Sequence, residues 1–568
     1  MKMKVFLLIV GILCANAAIA SPVGFGKAVS KAKRVLGKEV VSTENLTAEV
    51  RARMGEASAS PSFYVFNAED GQGFVIISGE DQMPEVLAYS HTGRFDATNI
   101  PPALVSMLDN YMEVVDEVRN GEMTVEASPR RAEEATPVVG PLCRSQWGQD
   151  KPYNTLCPSK DGEKCPVGCV ATALAQIMYH FAWPVTGTGS NMYASGISGV
   201  GVLKSNFYEH TYAWDVMEET TRKNLASEAA SAAVAQLSYD CGIATRMSYD
   251  PEGSGTNDDL AMAALYTYFG YRASSLRIEH RACYATQEEW NDLVKSELNA
   301  NRPVLYAGFD SRYGGHEFII DGYDDAGFFH VNWGWNGSSD AYYSIVTLSP
   351  SRMSISYSLE QSMVCGIEPD ETGEDKTPQQ FRIYMEDAPT MIQESISLGH
   401  SAILTLNNFF NYSRTAHTWT RAVALYSLDG EQLAFVSNPE NSNCTTQILS
   451  LNGYSRADIS FAIPEDTPDG YYSLRAVFRQ EGYDDFILPD MVGGSELNNL
   501  YVQVKDGVAY FNVDIPDAIN AIATNTNVVT HDYYDVSGKK LSRITKGIVI
   551  DRQTLPNGQQ IVKKIAVK

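Results

Sequence analysis

Two polar segments that contain proline interrupt the sequence, and they limit the length of any single domain. The segments are residues 126–137 and 368–379, and both lack the hydrophobic periodicity of a helix or a strand. The chain has 568 residues, whereas a compact domain usually holds about 50 to 250. We therefore expect several folded units, which these segments separate.

Residues 1–20 have the pattern of a secretory signal peptide. Lys2 and Lys4 precede the apolar run 5–14, and Ala18-Ile19-Ala20 supplies the small residues of a cleavage site. The apolar run is too short to span a bilayer. The sequence therefore predicts a protein that is secreted or displayed at the cell surface.

The charge and the cysteine spacing argue against two classes of ligand, nucleic acids and metal ions. A formal net charge of −25 argues against nucleic acid, because binding phosphates requires a basic face. Cys165 and Cys169 have the spacing of a zinc-binding pair, but no second pair follows, so no metal is predicted. If one thiol stays free, the seven other cysteines after residue 20 cannot all form disulfides with one another, and the sequence leaves the pairing open.

Residues 21–131 are predicted to form an α+β unit of their own. Residues 63–66 and 74–77 have the composition of strands and are joined by a turn-rich segment, which predicts a hairpin. Residues 103–118 place apolar side chains at helical spacing. The linker that follows contains Arg130-Arg131, which predicts an exposed site of proteolysis.

The remaining residues predict an α+β domain over 132–369, a β-sandwich over 380–515 and a small β unit over 519–568. In the first of these, residues 170–181 and 289–298 have helical patterns, and 304–306, 317–321 and 328–333 have strand patterns. Short alternating segments in the second and third predict further strands at 402–408, 421–427, 457–463, 471–478, 533–541 and 547–550.

Cys169 is the best candidate for a nucleophile. Gly168 precedes it and an apolar helical segment follows, so the thiol is predicted at a helix N-terminus, where the helix dipole favours the thiolate. The alternative is a buried structural or disulfide cysteine.

A cysteine nucleophile needs an imidazole base from another part of the chain. His180 is excluded, because it lies eleven residues further along the same helix, roughly 16 Å away. His316 begins a predicted strand after two glycines and can project into a cleft, whereas His330 lies in the middle of a strand and is interpreted as structural. Asn332 can orient an imidazole and Trp333 can shield that hydrogen bond from water, although a purely structural role for these two residues remains open.

Four segments together resemble the streptopain family of papain-like cysteine peptidases. They are residues 149–154, 168–178, 315–322 and 330–335, and they occur in the order of the family. The resemblance implies a papain-like fold and hydrolysis of peptide bonds through an acyl-enzyme, without a cofactor. It makes Cys169 the nucleophile and His316 the base. Asn332 would orient the imidazole with Trp333 beside it, and Gln149 would complete the oxyanion hole.

The same resemblance extends to regulation and specificity. Residues 62–78 and 84–90 are similar to the inhibitory prodomain of this family, which would block the cleft until cleavage near Arg130-Arg131. Residues 251–256 resemble a segment near the substrate cleft, and the family's preference is for an apolar residue two positions before the scissile bond. Glu317 departs from the family, which has a small residue there.

The C-terminal part resembles other secreted proteins. Residues 380–515 are interpreted as an immunoglobulin-like accessory module, and the final residues resemble tails that carry proteins across the outer membrane by the type IX route, so that secretion machinery is an expected partner. Two alternatives to a secreted endopeptidase share some of these features. One is a papain-fold acyltransferase or amidase that uses the same thiol, and the other is a surface adhesin with an accessory enzyme domain.

Overall fold

The computed structural model describes residues 21–42, 60–122, 135–218, 227–310, 314–345, 361–411, 416–440, 445–448, 455–515, 530–535, 540–541, 547–554 and 560–567. The chain divides into two compact units after Gln379. The predicted signal peptide, the dibasic pair Arg130-Arg131 and Cys444 lie outside the described residues. No helix within the described ranges combines the length and the hydropathy needed to cross a membrane.

The described α-helices all belong to the first unit. They are α1 (Phe25–Leu36), α2 (Pro102–Arg119), α3 (Cys169–Phe181), α4 (Glu228–Ala244), α5 (Asp258–Tyr268) and α6 (Gln287–Asn299). The predicted helices at 103–118, 170–181 and 289–298 are confirmed as α2, α3 and α6. The helix α6 begins with a capping box, in which Thr286 and Glu289 satisfy each other's backbone N–H groups.

The strands of the first unit form one large sheet and two short hairpins. They are β1 (Val40–Ser42), β2 (Phe63–Ala68), β3 (Phe74–Ser78), β4 (Val86–Ser90), β5 (Pro137–Val139), β6 (Ser159–Lys160), β7 (Glu163–Lys164), β8 (Ser190–Ala194), β9 (Val202–Asn206), β10 (Arg277–His280), β11 (Val304–Asp310), β12 (Gly314–Asp324), β13 (Phe329–Asn332), β14 (Ala341–Tyr343) and β15 (Ser362–Cys365). The predicted hairpin of β2 and β3 is confirmed.

The large sheet runs in the order β1-β2-β3-β4-β14-β13-β12-β11-β15-β10, and β5 pairs with β12. Its N-terminal strands therefore join the later strands through the antiparallel pair of β4 and β14, in which Tyr89 lies opposite Tyr342. One face of the central strands packs against α3, α4 and α5. The other face shares a core with α2 and α6. The N-terminal segment and the α+β domain are thus held together by one sheet and one core.

The described residues of the second unit form strands and one short 3₁₀ helix, Ser495–Asn498. The strands are β16 (Ile383–Met385), β17 (Thr390–Met391), β18 (Ser395–Ser397), β19 (Ala402–Asn411), β20 (His417–Tyr426), β21 (Gln432–Phe435), β22 (Thr445–Ile448), β23 (Ser455–Phe461), β24 (Gly470–Gln480), β25 (Asp490–Met491), β26 (Leu500–Lys505), β27 (Val508–Phe511), β28 (Thr530–Asp535), β29 (Lys540–Leu541), β30 (Gly547–Thr554) and β31 (Gln560–Val567).

Two sheets of the second unit share one hydrophobic core. One contains β17, β19, β16, β25 and β23, and the other contains β18, β27, β26, β24, β20, β21 and β22. From Arg456 to Phe461, the residues of β23 alternate between exposed and buried positions, because only one face of the strand contacts this core. The strands β28 to β31 form a separate sheet.

Candidate active site

Cys169 lies at the first position of α3, where Gly168 turns the chain into the helix. Gly168 has φ +92°, a conformation that residues with a Cβ rarely adopt. A Cβ there would also lie 2.7 Å from Cε of Met247 and 3.0 Å from the carbonyl oxygen of Ser254. Glycine is therefore required on both grounds, and Ser254 in the loop at residues 251–256 packs directly beside Gly168.

The Cys169 thiol receives hydrogen bonds from the backbone N–H groups of Val170 and Glu317. Burial raises the pKa of the thiol to about 11, the Glu317 carboxyl adds to this rise, and the N–H groups oppose it. These donors stabilise a negative charge on sulfur. In the state that the structure describes, the thiol is therefore protonated at neutral pH, and its surroundings already contain donors for a thiolate.

The same hydrogen bond brings the backbone next to His316 close to Cys169. The N–H of Glu317 belongs to the peptide that links it to His316, so the donor that contacts Sγ of Cys169 lies next to the histidine in the chain. His316 sits in β12 opposite Gly308 of β11, and its side chain is half-buried. The backbone next to His316 therefore lies close to the thiol, although the two residues are far apart in sequence. The role of His316 as the base stays a prediction.

Asn332 is held by a network that the sequence analysis missed. Its Nδ2 donates to the carbonyl oxygen of Ser145 at 2.8 Å and to Oε1 of Gln176 at 3.2 Å. Its Oδ1 accepts from the N–H of Gly334 at 3.0 Å and from Nε2 of Gln176 at 3.2 Å. Oε1 of Gln176 also accepts from the N–H of Trp147 at 3.1 Å. The network therefore links α3, the end of β13 and the segment before Gln149.

The sequence contained a sign that Gln176 has a role at this site. It is a polar residue in the apolar helix α3, seven positions after Cys169 and thus close to the same face of the helix. Its side chain is fully buried, and a buried amide requires hydrogen-bond partners. A search for polar residues on the buried face of the helix would have found it.

Trp333 and His316 belong to the opposite face of the sheet from Asn332. Ile319 pairs with Asn332, and side chains alternate along a strand, so His316 shares its face with Phe318. The rings of Phe318 and Trp333 have centroids 4.8 Å apart, and the Trp333 indole donates to the carbonyl oxygen of Ser339 at 3.1 Å. The role of Asn332 in orienting the imidazole stays a prediction.

Gln149 and the remaining histidines have defined positions. The carbonyl oxygen of Gln149 accepts from the N–H of Val167 at 3.0 Å, which fixes this residue close to the start of α3.

His330 contacts Asp321 at 2.6 Å in a buried pair, and Asp321 holds the pKa of the imidazole above its usual value although burial acts to lower it. His210 contacts the buried Asp240 at 2.8 Å. Both histidines therefore have structural partners.

The raised pKa of Cys169 gives the first testable prediction. Because only the thiolate is alkylated, we expect the rate of Cys169 modification by iodoacetamide in the intact chain to rise about tenfold per pH unit until it levels off near pH 11. Mass spectrometry of the peptide that contains Cys169 measures this rate. The unfolded chain is the control, and its rate should level off at about pH 8.5. An early plateau in the folded chain would contradict the described environment.

Comparisons with known proteins identify the families that the sequence matches. Residues 147–343 match the Peptidase C10 family, and residues 20–115 match the Spi protease inhibitor family. The chain is 34% identical over 346 residues to streptopain of Streptococcus pyogenes, which covers 56% of this chain and 82% of streptopain.

A second curated relative is larger than this chain. The thiol protease/hemagglutinin PrtT of Porphyromonas gingivalis is 32% identical over 380 residues, which covers 63% of this chain but 43% of that protein, less than half its length. Among solved structures, a prointerpain A fragment of Prevotella intermedia is 36% identical, with a TM-score of 0.48, and the match covers 56% of this chain and 98% of the fragment.

Proposed function

We propose, from the premise that the chain belongs to the Peptidase C10 family of streptopain-like cysteine peptidases, that it is a secreted endopeptidase made as an inactive precursor. The observation that carries the proposal is the hydrogen bond from the N–H between His316 and Glu317 to the thiol of Cys169. It joins a nucleophile at a helix N-terminus to the strand that bears the base.

The proposed reaction assigns one role to each residue. His316 accepts the proton of the Cys169 thiol, and the sulfur attacks the carbonyl carbon of the scissile peptide. The N–H of Cys169 and the side chain of Gln149 stabilise the oxyanion. His316 then gives the proton to the leaving amine, and a water molecule hydrolyses the thioester with His316 again acting as the base. The products are two peptides and the free thiol.

Asn332 and Trp333 are proposed as positioning residues. The hydrogen bonds of the Asn332 amide support a role in fixing the segment before Gln149, and the family resemblance supports a role in orienting the imidazole. The contact of Trp333 with Phe318, on the face that His316 shares, supports a role in shielding the base from water.

The N-terminal segment is proposed to keep the precursor inactive. Its match to a protease inhibitor family supports this role, as does its addition to the sheet through β4 and β14. Asn99 also accepts a hydrogen bond from the indole of Trp335 at 2.9 Å, and its carbonyl oxygen accepts from Ser338 at 3.1 Å. These contacts bring the segment to the loop that follows β13, and cleavage near Arg130-Arg131 would release them.

The full proposed organisation follows the boundaries predicted from the sequence. A signal peptide covers 1–20, the inhibitory prodomain 21–131, the catalytic domain 132–369, an immunoglobulin-like module 380–515 and a sorting tail 519–568. Support for the accessory module is its pair of sheets around one core. The tail would engage outer-membrane secretion machinery, and protein substrates complete the set of partners.

The proposed function is tested with the full-length precursor under reducing conditions. We expect casein hydrolysis to be low before the chain is nicked with trypsin in the linker and to rise as the precursor shortens, because the prodomain then dissociates. After trypsin is inhibited, the rate is followed by release of labelled peptides. A processed chain that transfers acyl groups to added amines but cleaves no casein would favour the acyltransferase alternative.

A further inference from the structure

The carboxyl group of Glu317 is buried next to the nucleophile. The residue is 8% exposed, and its Oε2 finds no hydrogen-bond donor. Among the described residues no lysine or arginine forms an ion pair with it. Its backbone N–H contacts the Cys169 thiol, and its carboxyl is close enough to act on that thiol through its charge. The active site thus contains an acidic group that the proposed reaction does not use.

A second carboxyl group lies beside it. The sheet register places Glu317 opposite Ala307 in β11, and Ala307 opposite Ser362 in β15, so the three side chains project from one face of the sheet. Oγ of Ser362 donates to Oδ2 of Asp258 at 2.6 Å, which fixes Asp258 above this face at the start of α5. The central residue of this row is an alanine, so the sheet itself places no large side chain between Glu317 and Ser362.

Two ionised carboxyl groups in such a buried site would destabilise the fold unless a cation binds between them. A buried carboxylate without a donor loses its hydration and gains nothing in return. Burial, reinforced by the charge of Asp258, raises the pKa of Glu317 well above the usual value. In this state the Glu317 carboxyl is therefore kept neutral by a bound proton. A guanidinium or ammonium group between the two carboxyls would supply donors to both and would allow Glu317 to ionise.

We propose that Glu317 and Asp258 form an acidic subsite beside Cys169, which takes the arginine or lysine side chain that lies two positions before the scissile bond of the substrate. The inference rests on the proposed peptidase function and adds its specificity. It differs from the apolar preference that the family resemblance implies, and the difference comes from a carboxyl group where the family has a small residue.

The experiment compares peptides that are identical except for the second residue before the scissile bond. Arginine, its neutral isostere citrulline and leucine are placed there, and the processed enzyme cleaves each peptide. We expect kcat/KM for arginine to exceed that for citrulline by about 10- to 100-fold, which is the range for a hydrogen bond to a charged group. Glu317→Gln should bring this ratio close to one, and Glu317→Ala should make leucine the better residue.

Further measurements distinguish a failure of the proposed subsite from a failure of the peptidase function. Glu371→Gln removes an exposed carboxylate of the same unit and should leave the ratio unchanged. Moving arginine to the first or third position before the bond should abolish the discrimination. Equal rates for arginine and citrulline in the parent enzyme would overturn the subsite, and this comparison needs no variant that could misfold. Failure of the peptidase function itself is different, since then none of the peptides nor casein would be cleaved.

Discussion

Cys169→Ala and His316→Ala are each expected to lower kcat/KM for a peptide substrate by about 10⁴-fold or more, which is typical for residues that act as one catalytic unit. The double variant should have a kcat/KM no lower than that of the less active single variant, since either change alone removes the thiolate attack. The processed enzymes are compared with a fluorogenic peptide, and circular dichroism verifies that each variant is folded.

Two matched variants test whether the loss is specific to this pair. His180 lies at the other end of α3, where Nδ1 contacts the carbonyl oxygen of Leu142 at 2.9 Å, and Cys283 is a half-buried cysteine in a short 3₁₀ turn. His180→Ala and Cys283→Ser should each retain activity within about tenfold of the parent, because most substitutions outside the site change stability only modestly. Activity that survives Cys169→Ala would assign the nucleophile to another residue.

The local elements of the site were predictable from short stretches of sequence. Gly168 followed by an apolar segment predicted that a helix begins at Cys169, and the structure confirms this start. The signal is local, because a positive φ at the glycine and the helical periodicity both depend on neighbouring residues. The strands β12 and β13 were predictable for the same reason.

The contacts between distant segments were not predictable in this way. The partners of Asn332 depend on the register of β12 with β13 and on the face of α3 that carries Gln176. Glu317 was visible in the sequence as a departure from the family, but its burial depends on β11, β15 and α5. The addition of β4 to β14 likewise joins strands that no local pattern relates. A single sequence contains no direct signal for pairing of this kind.

Tyr89 provides the strongest test of how the precursor is kept inactive. Its Oη donates to Oδ2 of Asp324 at 2.6 Å in a buried hydrogen bond. Its ring stacks on Tyr342 with centroids 5.4 Å apart and contacts the edge of Phe328 at the same distance. These contacts join β4 of the prodomain to the catalytic sheet. Losing them would favour dissociation of the prodomain without any cleavage of the chain.

Tyr89→Ala is expected to raise peptide hydrolysis by an uncleavable precursor about 30- to 1000-fold. This range combines a buried hydrogen bond to a carboxylate, about 1.5 to 3 kcal/mol, with an aromatic contact of about 0.5 to 1.5 kcal/mol, at 1.4 kcal/mol per factor of ten. The background is the full chain with Arg130→Ala and Arg131→Ala, and a small fluorogenic peptide reports its activity.

Two substitutions to phenylalanine determine whether this gain comes from the interface with the catalytic sheet. Tyr89→Phe removes only the hydrogen bond and should give a smaller increase than Tyr89→Ala, about 10- to 100-fold. Tyr64→Phe removes a buried hydrogen bond of 2.8 Å to Val23 within the prodomain, and it should leave the activity low, because the contacts to the catalytic sheet remain. If the uncleaved parent chain already hydrolyses the peptide as fast as the processed enzyme, the N-terminal segment acts as a folding module and does not inhibit.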